Sequence, residues 1–507
     1  MTAARAPTLT LSLLLLTTTF ATLLAAPNAA ADDEHELTSL FVTSFDGTAI
    51  DINVCRPAGA SADHPVPVVL GSHGWGGQKS GCNAAYLNAG LGWASMTQRG
   101  NGQSGGQNNI MDPDLEGRDI IAVIDHLASL GWVLKDDGPD GDDPRLGMVG
   151  GSYGGGFQWI GAFTDQLRRG APTRVDALAP GNTWHDLRTS LAPNGVVRTA
   201  ITAGLYATGN QNNDLAPWIH AAFAKMMATG RIDVSDPVFG DFSQELHEHS
   251  AAWFVEQGQQ LDIPVFLQQG SADILFNLNQ AIDNFEQALT PAARAQSLFL
   301  GTQDGHGLPA QVPSGPIPYT PTSGASCAVP SLVTWFRHTL LGDALDLGQP
   351  IRLSTVDQTC IQLDDWIEPT PSAVADLDGA VIATGPRGVV TYTPVAAGPL
   401  SLAGVPSLTF TATTADTDAR LFWGLAVGTS PDDARLIDGQ WTPTRLEGPV
   451  LGAAVSTDLG GLVDELAQDE TLYLVVSPSS DQYVGHASRS VGAVVLDDVQ
   501  LGLPLVE

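Results

Sequence analysis

Ser152 stands among small residues in Gly150-Gly151-Ser152-Tyr153-Gly154, directly behind the apolar run Leu146-Gly147-Met148-Val149 and ahead of the helix-competent segment Phe157 to Phe163. A serine on a sharp strand-to-helix turn, flanked by residues too small to clash, presents its hydroxyl as a nucleophile. The pattern recurs as Gly102-Gln103-Ser104-Gly105-Gly106, but Ser104 lies in a run of Gly, Asn and Gln that reads as a loop. A hydroxyl is a poor nucleophile at neutral pH. It needs a histidine to take its proton, and the histidine needs a carboxylate to hold its tautomer. Both occur downstream, each just past a strand-like run. Pro264–Gln268 leads into Gly270-Ser271-Ala272-Asp273, and Ser297–Leu300 leads into Gly301-Thr302-Gln303-Asp304-Gly305-His306-Gly307. Singly, Asp273 reads equally as a turn residue and His306 as a surface histidine. Taken in order after Ser152, they read as acid and base for acyl transfer. Asp304 is a rival acid, but two residues from His306 on one tight loop it is badly placed for the far ring nitrogen. Asp283 falls inside an expected helix.

A tetrahedral intermediate needs two donors aimed at its oxyanion. The amide after the nucleophile, that of Tyr153, is one. The glycine-rich His73-Gly74-Trp75-Gly76-Gly77, after the strand-like Val66–Gly71, supplies the second, with Trp75 at its centre; the other reading is a plain glycine turn. No residues have zinc-ligand spacing, and neither metal nor cofactor is expected. His247 and His249 lack companion ligands and read as solvated or packing residues. The acidic run Asp136 to Asp143 lacks the downstream glutamate of a calcium loop.

The elements that would position these groups follow a regular grammar. From Leu37 to about Leu340, short apolar strands alternate with amphipathic helices, as in a mostly parallel sheet. Trp93–Thr97 and Val175–Ala179 are further strands. Asp119–Leu130 is a helix with Ile120, Val123, Ile124 and Leu127 on one face. The fold class expected is α/β, an α/β-hydrolase spanning 32–350. Its rhythm breaks at about 181–261, a helix-rich interval read as a cap over the sheet's C-terminal edge. Trp184, Trp218 and Trp253 in this cap are candidates to line a substrate pocket. Beyond 351 the chain shows alternating runs such as Ser407-Leu408-Thr409-Phe410-Thr411, separated by Gly, Pro and Asp turns. That is the pattern of an antiparallel β-sandwich or jelly roll over 351–507.

Residues 1–31 read as a secretory signal, with Arg5 ahead of an apolar stretch and Ala29-Ala30-Ala31 before Asp32. The alternative, an uncleaved anchor, is opposed by the threonines that dilute the stretch and by its small-residue exit. The 507 residues carry 55 acidic against 22 basic side chains, a formal charge of −33. Such a surface repels nucleic acid and anionic lipid, so neither those nor a stable membrane association is expected. All four cysteines, Cys55, Cys82, Cys327 and Cys360, lie in the exported part, which suggests two disulfides. Sequence order favours Cys55–Cys82 and Cys327–Cys360 among three possible connectivities.

These motifs together resemble a known family, the secreted X-prolyl dipeptidyl peptidases and cocaine-esterase-like acyl esterases. The resemblance rests on His73 to Gly77, Arg99-Gly100-Asn101-Gly102-Gln103-Ser104-Gly105, and Gly150-Gly151-Ser152-Tyr153-Gly154-Gly155. It continues through His249-Ser250, Gln269 to Phe276, Gly305-His306-Gly307, and Trp335-Phe336-Arg337-His338-Thr339-Leu340-Leu341-Gly342. It runs from about Phe45 to the C-terminus and implies the same three parts: hydrolase, helical cap and jelly roll. It implies Ser152, Asp273 and His306 as the triad, and a small ester or Xaa-Pro peptide as substrate. Relatives can use a tyrosine hydroxyl as the second oxyanion donor. Here Trp75 stands nearest that place without a hydroxyl, so a backbone amide would substitute. An acyl esterase is the favoured expectation and an X-Pro peptidase the alternative. A catalytically idle surface or glycan-binding protein is the reading of a different class, and it usually goes with loss of a triad member.

Overall fold

The computed structural model describes residues 35–138, 141–306, 326–385, 388–488 and 491–506. The proposed signal (1–31) and Gly307 lie outside them. Ten strands form the main sheet: β1 (Glu36–Thr43), β2 (Ala49–Arg56), β3 (Val68–Ser72), β4 (Gly92–Met96), β5 (Leu146–Gly151), β6 (Ala177–Gly181), β7 (Phe266–Gly270), β8 (Leu298–Thr302), β9 (Ile351–Ser354) and β10 (Cys360–Leu363). Their order is β1-β2-β4-β3-β5-β6-β7-β8-β9-β10. Pairing is parallel from β4 through β9 and antiparallel at both edges. The sheet therefore runs past residue 350, where the change of domain was expected. Phe299 of β8 faces Ile351 in register, and the Cys327–Cys360 disulfide ties β10 to the segment before the Leu332–Leu341 helix.

The parallel strands are buried on both faces because helices cover both. One cover is the Glu116–Ala128 helix, whose Ile120, Val123, Ile124 and Leu127 are buried as their spacing requires. Between β6 and β7 the cap forms around the helices Thr199–Asn212 and Pro217–Thr229, with shorter helices on either side. A two-residue hairpin, Ser235–Asp236 with Gly240–Asp241, interrupts the helical run and is too short to leave a period in the sequence.

The C-terminal part is an antiparallel β-sandwich. Strand Ser407–Thr414 alternates as expected, burying Leu408, Phe410 and Ala412. Strands Asp418–Gly428 and Thr471–Ser477 do not alternate; nearly every residue is buried. One face of each (Leu421, Trp423, Leu425; Leu472, Leu474, Val476) fills the sandwich core. The opposite face (Phe422, Ala426; Tyr473, Val475) packs with Val196 of the cap. The hydrolase thus covers a sheet face that would otherwise be solvated.

Candidate active site

β5 ends at Gly151, and the Tyr153–Arg169 helix begins two residues later, so Ser152 must turn the chain by itself. It does so at φ 57° and ψ −121°, a region that costs a non-glycine residue about 1–3 kcal/mol. The turn is held in that state by its neighbours. Ser152 N–H donates to Gly181 O (2.8 Å), and Thr183 Oγ donates to Ser152 O (3.0 Å). A Cβ on Gly154 would lie 2.8 Å from Ser72 O, and one on Gly156 would lie 2.1 Å from the Trp184 ring. The glycines after the serine therefore let the helix approach β3 and the cap tryptophan.

The acid loop leaves β7 and the histidine loop leaves β8, adjacent parallel strands, so both arrive at the same sheet edge. Asp273 is fully buried. Its Oδ1 accepts the amides of Leu275 and Phe276 (both 2.9 Å), and its Oδ2 accepts His306 Nδ1–H at 2.6 Å. That leaves Nε2 of His306 to accept from Ser152 Oγ at 2.8 Å. Phe276 packs edge-on against the imidazole, with centroids 5.0 Å apart. The arrangement can deprotonate the serine hydroxyl, hold the resulting imidazolium and return its proton.

Around these groups the other sequence candidates take definite places. Ser104 Oγ donates to Thr97 O (2.8 Å) and accepts Asp51 N–H (2.9 Å), a buried loop residue away from the histidine. Asp283 lies on the Leu278–Gln287 helix, where Gln287 donates to it. Tyr153 heads its helix, so its amide has no partner within that helix. Its hydroxyl accepts from Asn108 Nδ2 (2.9 Å), and burial holds the phenol well above its ordinary pKa. Trp75 packs edge-on against Tyr153, and its indole N–H donates to Leu205 O (2.8 Å) in the cap. The Trp75 ring is therefore a strut to the cap, and only its main chain is left for an oxyanion. The same turn is pegged by His73. Its Nε2 accepts Gln98 N–H (2.9 Å) and its Nδ1–H donates to Gly74 O (2.8 Å). Burial pushes this imidazole down to about 4, so it stays neutral at ordinary pH.

A cavity opens beside Ser152, about 770 Å³ with its mouth included. Trp184 and Trp218 line it together with Ile110, Leu205, Phe223, Met226 and Phe276. Trp253 does not: it is half-buried and packs edge-on against its neighbour Phe254, whose ring stacks on Phe163 of the Tyr153–Arg169 helix. His247 and His249 part company. His247 bridges Asp186 (3.0 Å) and Glu256 (2.9 Å), which raise its pKa against burial. His249 is buried edge-on to Trp218. Ile110 was not foreseen. It and Met111 adopt positive φ (61° and 64°), and Glu116 brackets them by accepting the amides of Asn109 (2.7 Å) and Asp112 (3.0 Å). Their only sequence signal was the Asn108-Asn109 pair before them.

The whole architecture is shared with solved structures. A CocE/NonD family hydrolase from Staphylococcus aureus superposes with a TM-score of 0.66 at 14% identity, over 93% of this chain and 96% of that one. An aminopeptidase from a marine sediment Thaumarchaeota archaeon gives 0.63 at 13% identity, over 94% and 97%. An α-amino acid ester hydrolase gives 0.61 at 13% identity, over 96% and 100%. No curated protein matches the chain by sequence. The model of the X-Pro dipeptidyl-peptidase (S15) family matches residues 46–306, from the strand-connecting turn ahead of β2 to the histidine itself. A match over more than half of the chain makes this protein a member of the S15 family and a serine-type hydrolase of esters or peptides.

Proposed function

We propose that this enzyme is an exported acyl esterase in which Ser152 is the nucleophile, His306 the base and Asp273 the acid that orients the imidazole. Ser152 Oγ attacks the ester carbonyl while its proton passes to His306 Nε2. The Tyr153 amide and a main-chain donor of the Gly74–Gly77 turn, with Trp75 N–H the candidate, receive the oxyanion. The imidazolium returns the proton to the departing alkoxide, and water deprotonated at the same nitrogen then releases the acid. Two disulfides, Cys55–Cys82 and Cys327–Cys360, accord with export to an oxidising compartment. Among the described residues no helix is long and apolar enough to cross a membrane.

The cavity carries the choice of ester. An Xaa-Pro peptide or an α-amino acid ester brings a free ammonium group, which must find a carboxylate when it leaves water. Among the described residues lining the cavity there is no Asp or Glu; Thr202 and Tyr206 add the only hydroxyls beside Ser152 and Tyr153. An uncharged acyl chain suits such walls. The peptidase reading is favoured by the family description itself. A side-by-side measurement decides: nitrophenyl butyrate is expected to be cleaved with the higher kcat/KM, and a higher value for Ala-Pro-nitroanilide would give precedence to the peptidase.

A further inference from the structure

The loop that carries Asp273 touches more than His306. Gln440, just past the β-sandwich turn Ile437–Gly439, donates through Nε2 to Ser271 O (2.9 Å) and to Asp273 O (3.1 Å). Both partners are carbonyls, so the amide must face them with its two hydrogens. Gln303, on the loop that leads to His306, donates to Ser271 Oγ (3.0 Å) and to Ser354 O (2.9 Å). With its oxygen so occupied, Ser271 donates its own hydroxyl to Asp438 Oδ1 (3.1 Å). Asp438 Oδ2 accepts Val463 N–H (3.1 Å), and Asp438 itself sits at φ 51°. Ser271, Asp273, Gln303 and Asp438 are completely buried, and Gln440 nearly so. One turn of the β-sandwich therefore meets the Asp273 loop directly and reaches the His306 loop through Ser271 and Gln303, which also donates to Val463 O of the sandwich (3.4 Å).

We infer that the β-sandwich aligns the catalytic acid, with Gln440 and Asp438 as positioning residues that key the Asp273 and His306 loops to each other. The inference rests on Asp273 being the triad acid. Its physical basis is the peptide plane that follows Asp273. Oδ1 of Asp273 depends on the amides of Leu275 and Phe276, two and three residues on. Gln440 fixes the carbonyl of Asp273, and Arg198 grips the next carbonyl, that of Ile274. Tyr483 of the sandwich in turn lies 3.2 Å from Arg198 Nε. Without Gln440, two buried carbonyls lose their donor and the loop is free to rotate away from the imidazole.

The experiment compares Gln440→Leu, Asp273→Asn and the double variant on nitrophenyl butyrate, with near-ultraviolet dichroism to establish folding. Gln440→Leu is expected to lower kcat by about ten- to a hundredfold, the cost of a small misplacement remote from the chemistry, with KM within about twofold. In the Asp273→Asn background the same change should add little, because the group it aligns has lost its charge. The downfield proton resonance of the Asp273–His306 hydrogen bond should weaken or move in Gln440→Leu. A folded Gln440→Leu enzyme with unchanged kcat, or an equal loss in both backgrounds, would overturn the inference. If Asp273→Asn alone retains full activity, the triad assignment itself fails, which is a separate result. Should Gln440→Leu not fold, Ser271→Ala removes only the bridging hydroxyl and is read by the same measurements.

Discussion

Ser152 holds a backbone conformation that most side chains avoid, and hydrogen bonds to Gly181 O and from Thr183 Oγ keep it there. In the proposed role of Ser152 as nucleophile, that conformation serves to hold Oγ 2.8 Å from His306 Nε2. Ser152→Ala is expected to abolish both turnover and labelling by a fluorophosphonate probe, read by intact mass; labelling at Ser104 would contradict it. Asp273→Asn should lower kcat by roughly four orders of magnitude, the effect of neutralising a triad acid whose imidazole then adopts the wrong tautomer. Asp304→Asn should do far less, since Nδ1 of His306 is already paired with Asp273. These residues were legible in the sequence because each sits at the end of its own strand, a local signature. The Trp75 indole was not legible as a strut, because its partner Leu205 lies 130 residues away in the cap.

On the proposed reading as an acyl esterase, the cap helices that wall the cavity would set how much acyl chain fits. Ala222 lines the cavity from Pro217–Thr229 and is its smallest wall residue. Ala222→Trp should leave butyrate hydrolysis nearly intact and lower kcat/KM for octanoate by more than about tenfold, since each methylene excluded from an apolar pocket forfeits on the order of 1 kcal/mol. An unchanged octanoate-to-butyrate ratio would show that the chain lies elsewhere. At the other end of the hydrolase, the Cys55–Cys82 bond closes a 27-residue separation between β2 and the loop after β3. Its removal in the double alanine variant should lower stability by roughly 2–4 kcal/mol, measured by denaturant unfolding. Strands β3 to β8 were read from apolar runs to within about two residues, but the edge strands β1, β2, β9 and β10 were not read, and the cap hairpin and the Ile110–Met111 turn have no period to read.

Several buried titratable groups give the molecule a pH-dependent stability. Burial raises Glu116 from an ordinary 4.5 to about 8, although two amides donate to it. Between those values the folded state holds a proton that the unfolded state has released, so stability falls as pH rises through this window. Glu116→Gln should flatten that fall in a series of Tm measurements, and an unaltered slope would reject the assignment. His73, lowered from 6.5 to about 4, works in the opposite sense: the unfolded chain takes up the proton first, so stability falls as pH drops through that range. Removing the β-sandwich should be ruinous in a different way. It would uncover Val196 in the cap and strip Ala403 and Val463 from the hydrolase core. A chain ending after β10 is therefore expected to be insoluble on expression; soluble, active protein would show the sandwich to be dispensable.

Local chemistry determined the alternation of strands and helices, the glycine-flanked serine, and the order in which acid and histidine follow it. Those are matters of neighbouring residues: period, turn preference and the need of a nucleophile for small flanks. The tertiary structure alone decided that Trp184 and Trp218 face the cavity while Trp253 does not. It also decided that the cap covers the outer face of the sandwich strands Asp418–Gly428 and Thr471–Ser477, so that both are buried on two faces. Gln440 is the clearest case. Nothing beside it in the chain marks it, and its partners Ser271 and Asp273 lie 169 and 167 residues away. A hydrogen bond between such distant groups depends on how two domains dock, and that depends on the sum of many small contacts, none of which writes a period into the chain.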